Sequence, residues 1–129
     1  MSEVAHKNIS GLDELVAWFG RIPRFHDAKI LGVSLHTDQP STIRIHAWQM
    51  TDEKDEKGYF ILDRHVVVTI SLEQVTSISL TDFNLPGIIY DLELSNSGDE
   101  VQIAWTGSYG VDGTLRAKRA RIDLKPGKP

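Results

Sequence analysis

The hydrophobic positions of this chain change rhythm once. Leu12, Leu15, Val16 and Phe19 recur at i, i+3, i+4 and i+7, the spacing of one helix face. Ser10 stands where an N-cap belongs, and Asp13 and Glu14 suit the positive helix end. Gly20 offers a left-handed terminator, and Pro23 forbids continuation. Residues 1–9 read as a frayed leader. A helix this short is marginal alone, so its stripe must lie on something else.

From Ala28 onward the period is two. Leu31, Val33 and Leu35 alternate with polar or small residues up to the turn cluster Thr37 to Ser41. Ile43, Ile45 and Ala47 then point one way, and Arg44, His46 and Trp48 the other. Thr51 to Gly58 reads as a charged hairpin tip, after which Tyr59 to Leu62 re-enters the sheet. Val66, Val68, Ile70 and Leu72 make an inward row, and Val75 to Leu80 a further short strand. Ile88, Tyr90, Leu92 and Leu94 alternate with Ile89, Asp91 and Glu93. Asn96 to Asp99 signals a tight turn into Val101, Ile103 and Trp105. In the last strand Leu115 and Ala117 share one parity and Ala120, Ile122 and Leu124 the other, so a bulge is expected near Lys118.

These elements predict a mostly β (α+β) fold. It is a single antiparallel meander sheet or sandwich of about seven strands, with one N-terminal helix packed on it. The 129 residues fit one domain, with flexible tails at 1–9 and 125–129.

Composition narrows the function classes only slightly. With 40% hydrophobic and 25% charged residues the chain is globular rather than disordered. It has no cysteine, which excludes disulfides and thiol chemistry and fits a reducing cytosol. No secretory signal and no membrane-spanning run is visible, so the expected location is cytoplasmic, without membrane contact. A net charge of −4 argues against nucleic acid as a partner. The charge is uneven: Thr81 to Glu100 holds Asp82, Asp91, Glu93, Asp99 and Glu100 and no basic residue. Arg116, Lys118, Arg119, Arg121, Lys125 and Lys128 then stand against Asp123 alone. Neighbouring acids across the sheet are expected to meet that basic run.

Candidate chemistry is sparse. His26 beside Asp27 reads either as an oriented base or metal ligand, or as a helix-to-strand corner in which Asp27 binds backbone N–H groups. His36, His46 and His65 lack metal-ligand spacing, and no metal or cofactor is expected. Asp91 and Glu93 share a strand face about 6–7 Å apart, ordinary for an exposed strand. The glycine-rich run Gly107 to Gly113 precedes a strand rather than a helix, so it reads as a turn with Tyr109 over the sheet end, not as a phosphate loop. Arg44, His46 and Trp48 form either an exposed recognition row, which would also suit a homodimer, or a second packing layer. The acids Asp52, Glu53, Asp55 and Glu56 are candidate partner contacts at the hairpin tip.

Several short motifs point to a family. Trp18-Phe19-Gly20, then Phe25-His26-Asp27-Ala28, resembles the start of immunity protein 50 domains of bacterial polymorphic toxin systems. Ile45-His46-Ala47-Trp48, His65-Val66-Val67-Val68, Leu80-Thr81-Asp82-Phe83-Asn84 and Gly107-Ser108-Tyr109-Gly110-Val111-Asp112-Gly113 are similar too, over residues 15–124. The resemblance implies a mostly β, non-enzymatic protein that binds and blocks a cognate toxin. It supplies no catalytic residues, and its motif positions Trp18, His26, Asp27, Asn84 and Tyr109 are expected to be structural as readily as functional.

Overall fold

A computed structural model describes residues 7–58, 60–84, 87–108 and 110–129. A two-residue strand, β1 (Ile9–Ser10), leads into the single helix α1 (Leu12–Phe19). Six longer strands follow: β2 (Lys29–Ser34), β3 (Ser41–Lys54), β4 (Phe60–Thr81), β5 (Ile89–Ser97), β6 (Glu100–Gly107) and β7 (Asp112–Pro126). They form one seven-stranded sheet in the order β2-β3-β4-β7-β6-β5, with β1 parallel to β7. The expected mostly β class with one antiparallel sheet is therefore what the chain adopts. Its connectivity is two three-stranded meanders, β2-β3-β4 and β5-β6-β7, set side by side with β7 against β4.

The two outer strands also meet. Asp27 N–H donates to the Ile89 carbonyl and Ile89 N–H to that of Ala28, both at 2.8 Å. Ile30 N–H donates to Gly87 and Leu92 N–H to Arg24, both at 2.9 Å. The sheet thus curls until its edges are stitched together, which leaves few unpaired backbone groups along that seam.

The helix starts one residue later than expected. Ser10 ends β1, and the N-cap is Gly11 at φ 84. A Cβ there would lie 2.1 Å from the Ile122 carbonyl oxygen, so glycine is required both by dihedral and by space. Gly20 closes the helix as expected, its N–H donating to Val16 O at 2.6 Å. Leu15 is fully buried, with Leu12, Trp18 and Phe19 packed around the same core, and the helix lies on β7. Among the described residues no helix is long and apolar enough to cross a membrane.

The inward rows Ile43-Ile45-Ala47, Val66-Val68-Ile70-Leu72 and Val101-Ile103-Trp105 are all buried, as their alternation predicts. Trp105 lies over Gly113, where an added Cβ would come within 2.3 Å of the indole. Bulges upset the rhythm elsewhere. A shift between Ile30 and Gly32 buries Ile30 and leaves Leu35 exposed, and one between Ile89 and Asp91 turns Tyr90 outward.

Val66 to Leu80 is one strand rather than two. Its face changes at Gln74, at φ 56, opposite the parity change in β7. Both strands therefore bend together and stay in register from Glu73↔Arg119 to Val75↔Ala117; the register shift lies between Val75 and Ser77, not near Lys118. The expected tails are partly ordered too: Lys7 N–H donates to Asn96 Oδ1, and Lys125 and Pro126 belong to β7.

Candidate functional site

On the outer face of β3, Arg44 is exposed while His46 and Trp48 are half-buried. The His46 ring meets Trp48 edge-on at 4.9 Å, and His46 Nε2 lies 3.0 Å from His65 Nδ1. Burial lowers the His46 pKa from its ordinary 6.5, helped by the charges of His65, Lys128 and Lys29. Val67, directly opposite His46 in the β3–β4 register, is buried although it lies outside the interior cluster. The row is thus a small outer packing layer and, at Arg44, an exposed edge.

Trp18 has the Arg64 guanidinium over its ring, 4.3 Å from the centroid. Arg64 takes φ 52 to reach it.

His26 and Asp27 belong to the seam. Phe25 and Asp27 both take positive φ, 58 and 70, which turns the chain from the helix into β2. His26 Nδ1 sits 2.8 Å from the Tyr90 carbonyl, so this nitrogen carries the proton and donates. Its Nε2 lies 3.8 Å from Asp27 Oδ1, and both side chains are well exposed. The corner reading expected Asp27 to bind backbone N–H groups through its carboxylate. The bond is made instead by the Asp27 backbone N–H, to Ile89 O.

Beside it Arg24 grips Asp91 with two bonds, Nε to Oδ1 at 2.8 Å and Nη2 to Oδ2 at 2.5 Å. That hydrogen bonding holds the Asp91 carboxyl below its usual range. Asp91 is therefore held by Arg24 rather than standing free beside Glu93.

The hairpin acids divide. Strand β3 runs to Lys54, so Asp52 stands in a strand rather than a loop, and its side chain lies outside the described residues. Glu53, Asp55 and Glu56 are exposed. Asp55 shapes the tip, its Oδ1 accepting from Lys57 N–H at 2.9 Å and its carbonyl from Gly58 N–H at 3.0 Å. Asn84 is exposed at the β4–β5 corner, and Tyr109 lies outside the described residues. His36 sits apart in the β2–β3 turn, its Nδ1 3.2 Å from the Gln39 amide. Among the described residues no three His, Asp or Glu side chains come together with metal-ligand spacing, and His26, Asp27 and His65 do not form one cluster.

Three of the surface concavities among the described residues bear on these positions. One of about 700 Å³ lies between the α1–β2 connection and β3, where Phe19, Pro23, His26 and Trp48 face one another. One of about 600 Å³ runs between the β2–β3 turn and the second half of β4. The third, about 340 Å³, is a shallow acidic dish of Asp91, Glu93 and Asp112 among Ser79, Thr81 and Thr114. Only its acids were visible in sequence; their gathering depends on the pairings Thr81↔Asp112 and Asp91↔Thr106.

The expected pairing of the basic run with acids across the sheet holds in part. Lys118 Nζ lies 3.2 Å from Glu100 on β6, whose carboxyl it holds low, whereas Arg121 pairs with Asp123 of its own strand at 3.1 Å. Comparison with protein-family profiles, with characterised proteins and with solved structures gives no match for this chain.

Proposed function

We propose that this chain is a protein-binding domain that neutralises a cognate bacterial toxin by covering its working surface. The observation that carries the reading is charge segregation on a rigid sheet. Between Val66 and Leu115 there is no Lys or Arg, while Glu73, Asp82, Asp91, Glu93, Asp99, Glu100 and Asp112 all fall there. The fold gathers three of these acids in one concavity, and the basic residues Lys29 and Arg44 lie on β2 and β3, at the other side of β4. An acidic face of this kind draws in a basic partner and raises its association rate. The short motifs resembling immunity protein 50 domains supply the class of partner. Nucleases and other toxins that act on anionic substrates present such basic surfaces.

Co-expression with a candidate toxin, the product of the gene immediately upstream, tests the reading. Rescue of growth, co-purification, and an association rate that falls steeply with added salt are expected. Absence of both rescue and co-purification would sink it. Glu93→Lys with Asp112→Lys should slow association by roughly tenfold or more, whereas Arg44→Ala on the opposite side should leave it nearly unchanged.

A further inference from the structure

The second half of β4 is an open edge. Strand β3 accompanies β4 only as far as the pair Ser41↔Leu72, whereas β7 continues to Thr81↔Asp112. Among the described residues, Glu73 to Thr81 therefore has a strand on one side only. In an antiparallel ladder, alternate residues direct N–H and C=O away from the existing neighbour, here into open space. Sheets blunt such edges with Lys, Pro or bulges. This one has a bulge at its start, between Val75 and Ser77, but Ser77 to Thr81 runs in regular register and contains neither Lys nor Pro.

The side chains along the edge are equally unfinished. Ile78 and Leu80 stand opposite Leu115 and Gly113, on the side that turns toward the core, yet they remain 47% and 36% exposed. Leu35, 44% exposed, faces Ile78 across the 600 Å³ groove, and Phe83, 43% exposed, lies just beyond the strand end. On the outward side Ser77, Ser79 and Thr81 are short and hydroxylated, with Asp112 next to Thr81. Glu73 and Asp38 line the groove, and Asp82 follows the strand. Of the cations across the ladder, Arg116, opposite Ser77, is turned to Gln102 Oε1 at 2.8 Å, and Arg119 stands opposite Glu73, so the acids without a basic residue opposite them are Asp38, Asp82 and Asp112.

We infer that residues Ser77–Thr81 receive an extended segment of a partner protein as an added strand. The segment alternates apolar side chains, which enter the groove beside Leu35 and Ile78 and cover Leu80 next to it, with Lys or Arg side chains on the acidic outer side. Backbone hydrogen bonds give the affinity, and the two-faced pattern gives the selectivity. The charge of the surroundings selects this occupant over a second copy of the chain, whose matching edge, Ser77 to Thr81, would bring no cation to Asp82 and Asp112. The inference deepens the toxin-binding reading by naming where and how the partner is held.

The test uses the full chain, isotope-labelled for NMR, and the peptide Lys-Val-Thr-Val-Lys-Val-Lys. Shift changes and slowed amide exchange centred on Ser77 to Thr81 are expected, and at least about tenfold weaker binding when Glu replaces each Lys of the peptide. I78K/L80K should weaken the Lys peptide by at least about tenfold with unchanged melting, and I78T/L80T serves if the first variant does not fold. Equal binding of the Lys and Glu peptides, shifts centred instead on His46 and Trp48, or no shifts at about 1 mM peptide would overturn the inference. So would a wild-type dimer that I78K/L80K converts to monomer, because the edge would then hold a second copy. Capture of the upstream-encoded toxin separates the two levels. Undiminished capture by I78K/L80K removes the edge proposal and keeps toxin binding; edge-centred peptide binding without any toxin capture does the reverse.

Discussion

The two halves of β4 share one backbone and have unlike surroundings. From Val66 to Leu72 the strand lies between β3 and β7, and Val66, Val68, Ile70 and Leu72 are fully buried. From Ser77 to Thr81 only β7 remains beside it, and Ile78 and Leu80 are exposed although their chemistry and spacing are the same. Burial is thus decided by what flanks a strand, not by the alternation written into it. The outer faces differ as well. Arg44, His46 and Lys125 surround the first half, and Asp112, Glu93 and Asp91 the neighbourhood of the second.

The sharpest way to break this contrast is a matched pair of truncations. Leu72→Ala should cost about 2–5 kcal/mol in urea unfolding, because a fully buried side chain leaves a cavity. Ile78→Ala should cost within about 0.5 kcal/mol, as expected for an exposed site. Similar losses at both positions would mean that the second half is covered in solution. A smaller effect is expected at Gly113→Ala, on the inner side of that half. The new methyl must displace Trp105, at roughly 1–3 kcal/mol and with a change in tryptophan emission. An unchanged spectrum and stability would show that the indole is not fixed there.

The remaining two predictions concern pH and are the smallest. The unfolded chain protonates His46 more readily than the folded one does. Stability should therefore fall as pH drops below about 6.5, until the folded imidazole is charged too, and be free of this cost above that range. His46→Gln should flatten the slope, and an unaltered slope would place the titration elsewhere. Asp91 has the opposite sign. Its depressed pKa contributes stability above the ordinary value of 3.8, lost as pH falls through the folded one. In Asp91→Asn that acid-side loss should be absent, read as a flatter melting-temperature profile below pH 3.8. A profile like wild type would mean that the Arg24 pair contributes nothing measurable at this exposed site.

Much of the fold was legible because alternation is a local property. Helix α1, the long inward rows and the β5–β6 turn, where Ser97 pairs with Glu100, all follow from spacing and turn residues. What escaped was decided by partners distant in sequence. Gly11 is the cap because Ile122 leaves no room for a side chain, and Tyr90 faces out because a bulge precedes Asp91. His26 and Asp27 looked like chemistry because adjacent titratable residues invite it; the φ values of Phe25 and Asp27 and the bonds to Ile89 and Tyr90 make them part of the seam. The acidic dish and the open edge could not be read at all, since each depends on where β3 stops and on which strands lie next to β7.

Strand β7 is the hub of the molecule, touching β4, β6, β1 and α1, and it follows every one of them in the chain. A ribosome must therefore deliver this keystone after every element it holds. Until Asp112 to Pro126 has emerged, only the β2–β5 seam joins the two ends of the sheet, β4 and β6 have no strand between them, and the acidic dish lacks Asp112. Fragments ending before Asp112 should therefore be cleared by proteases instead of accumulating as folded domains.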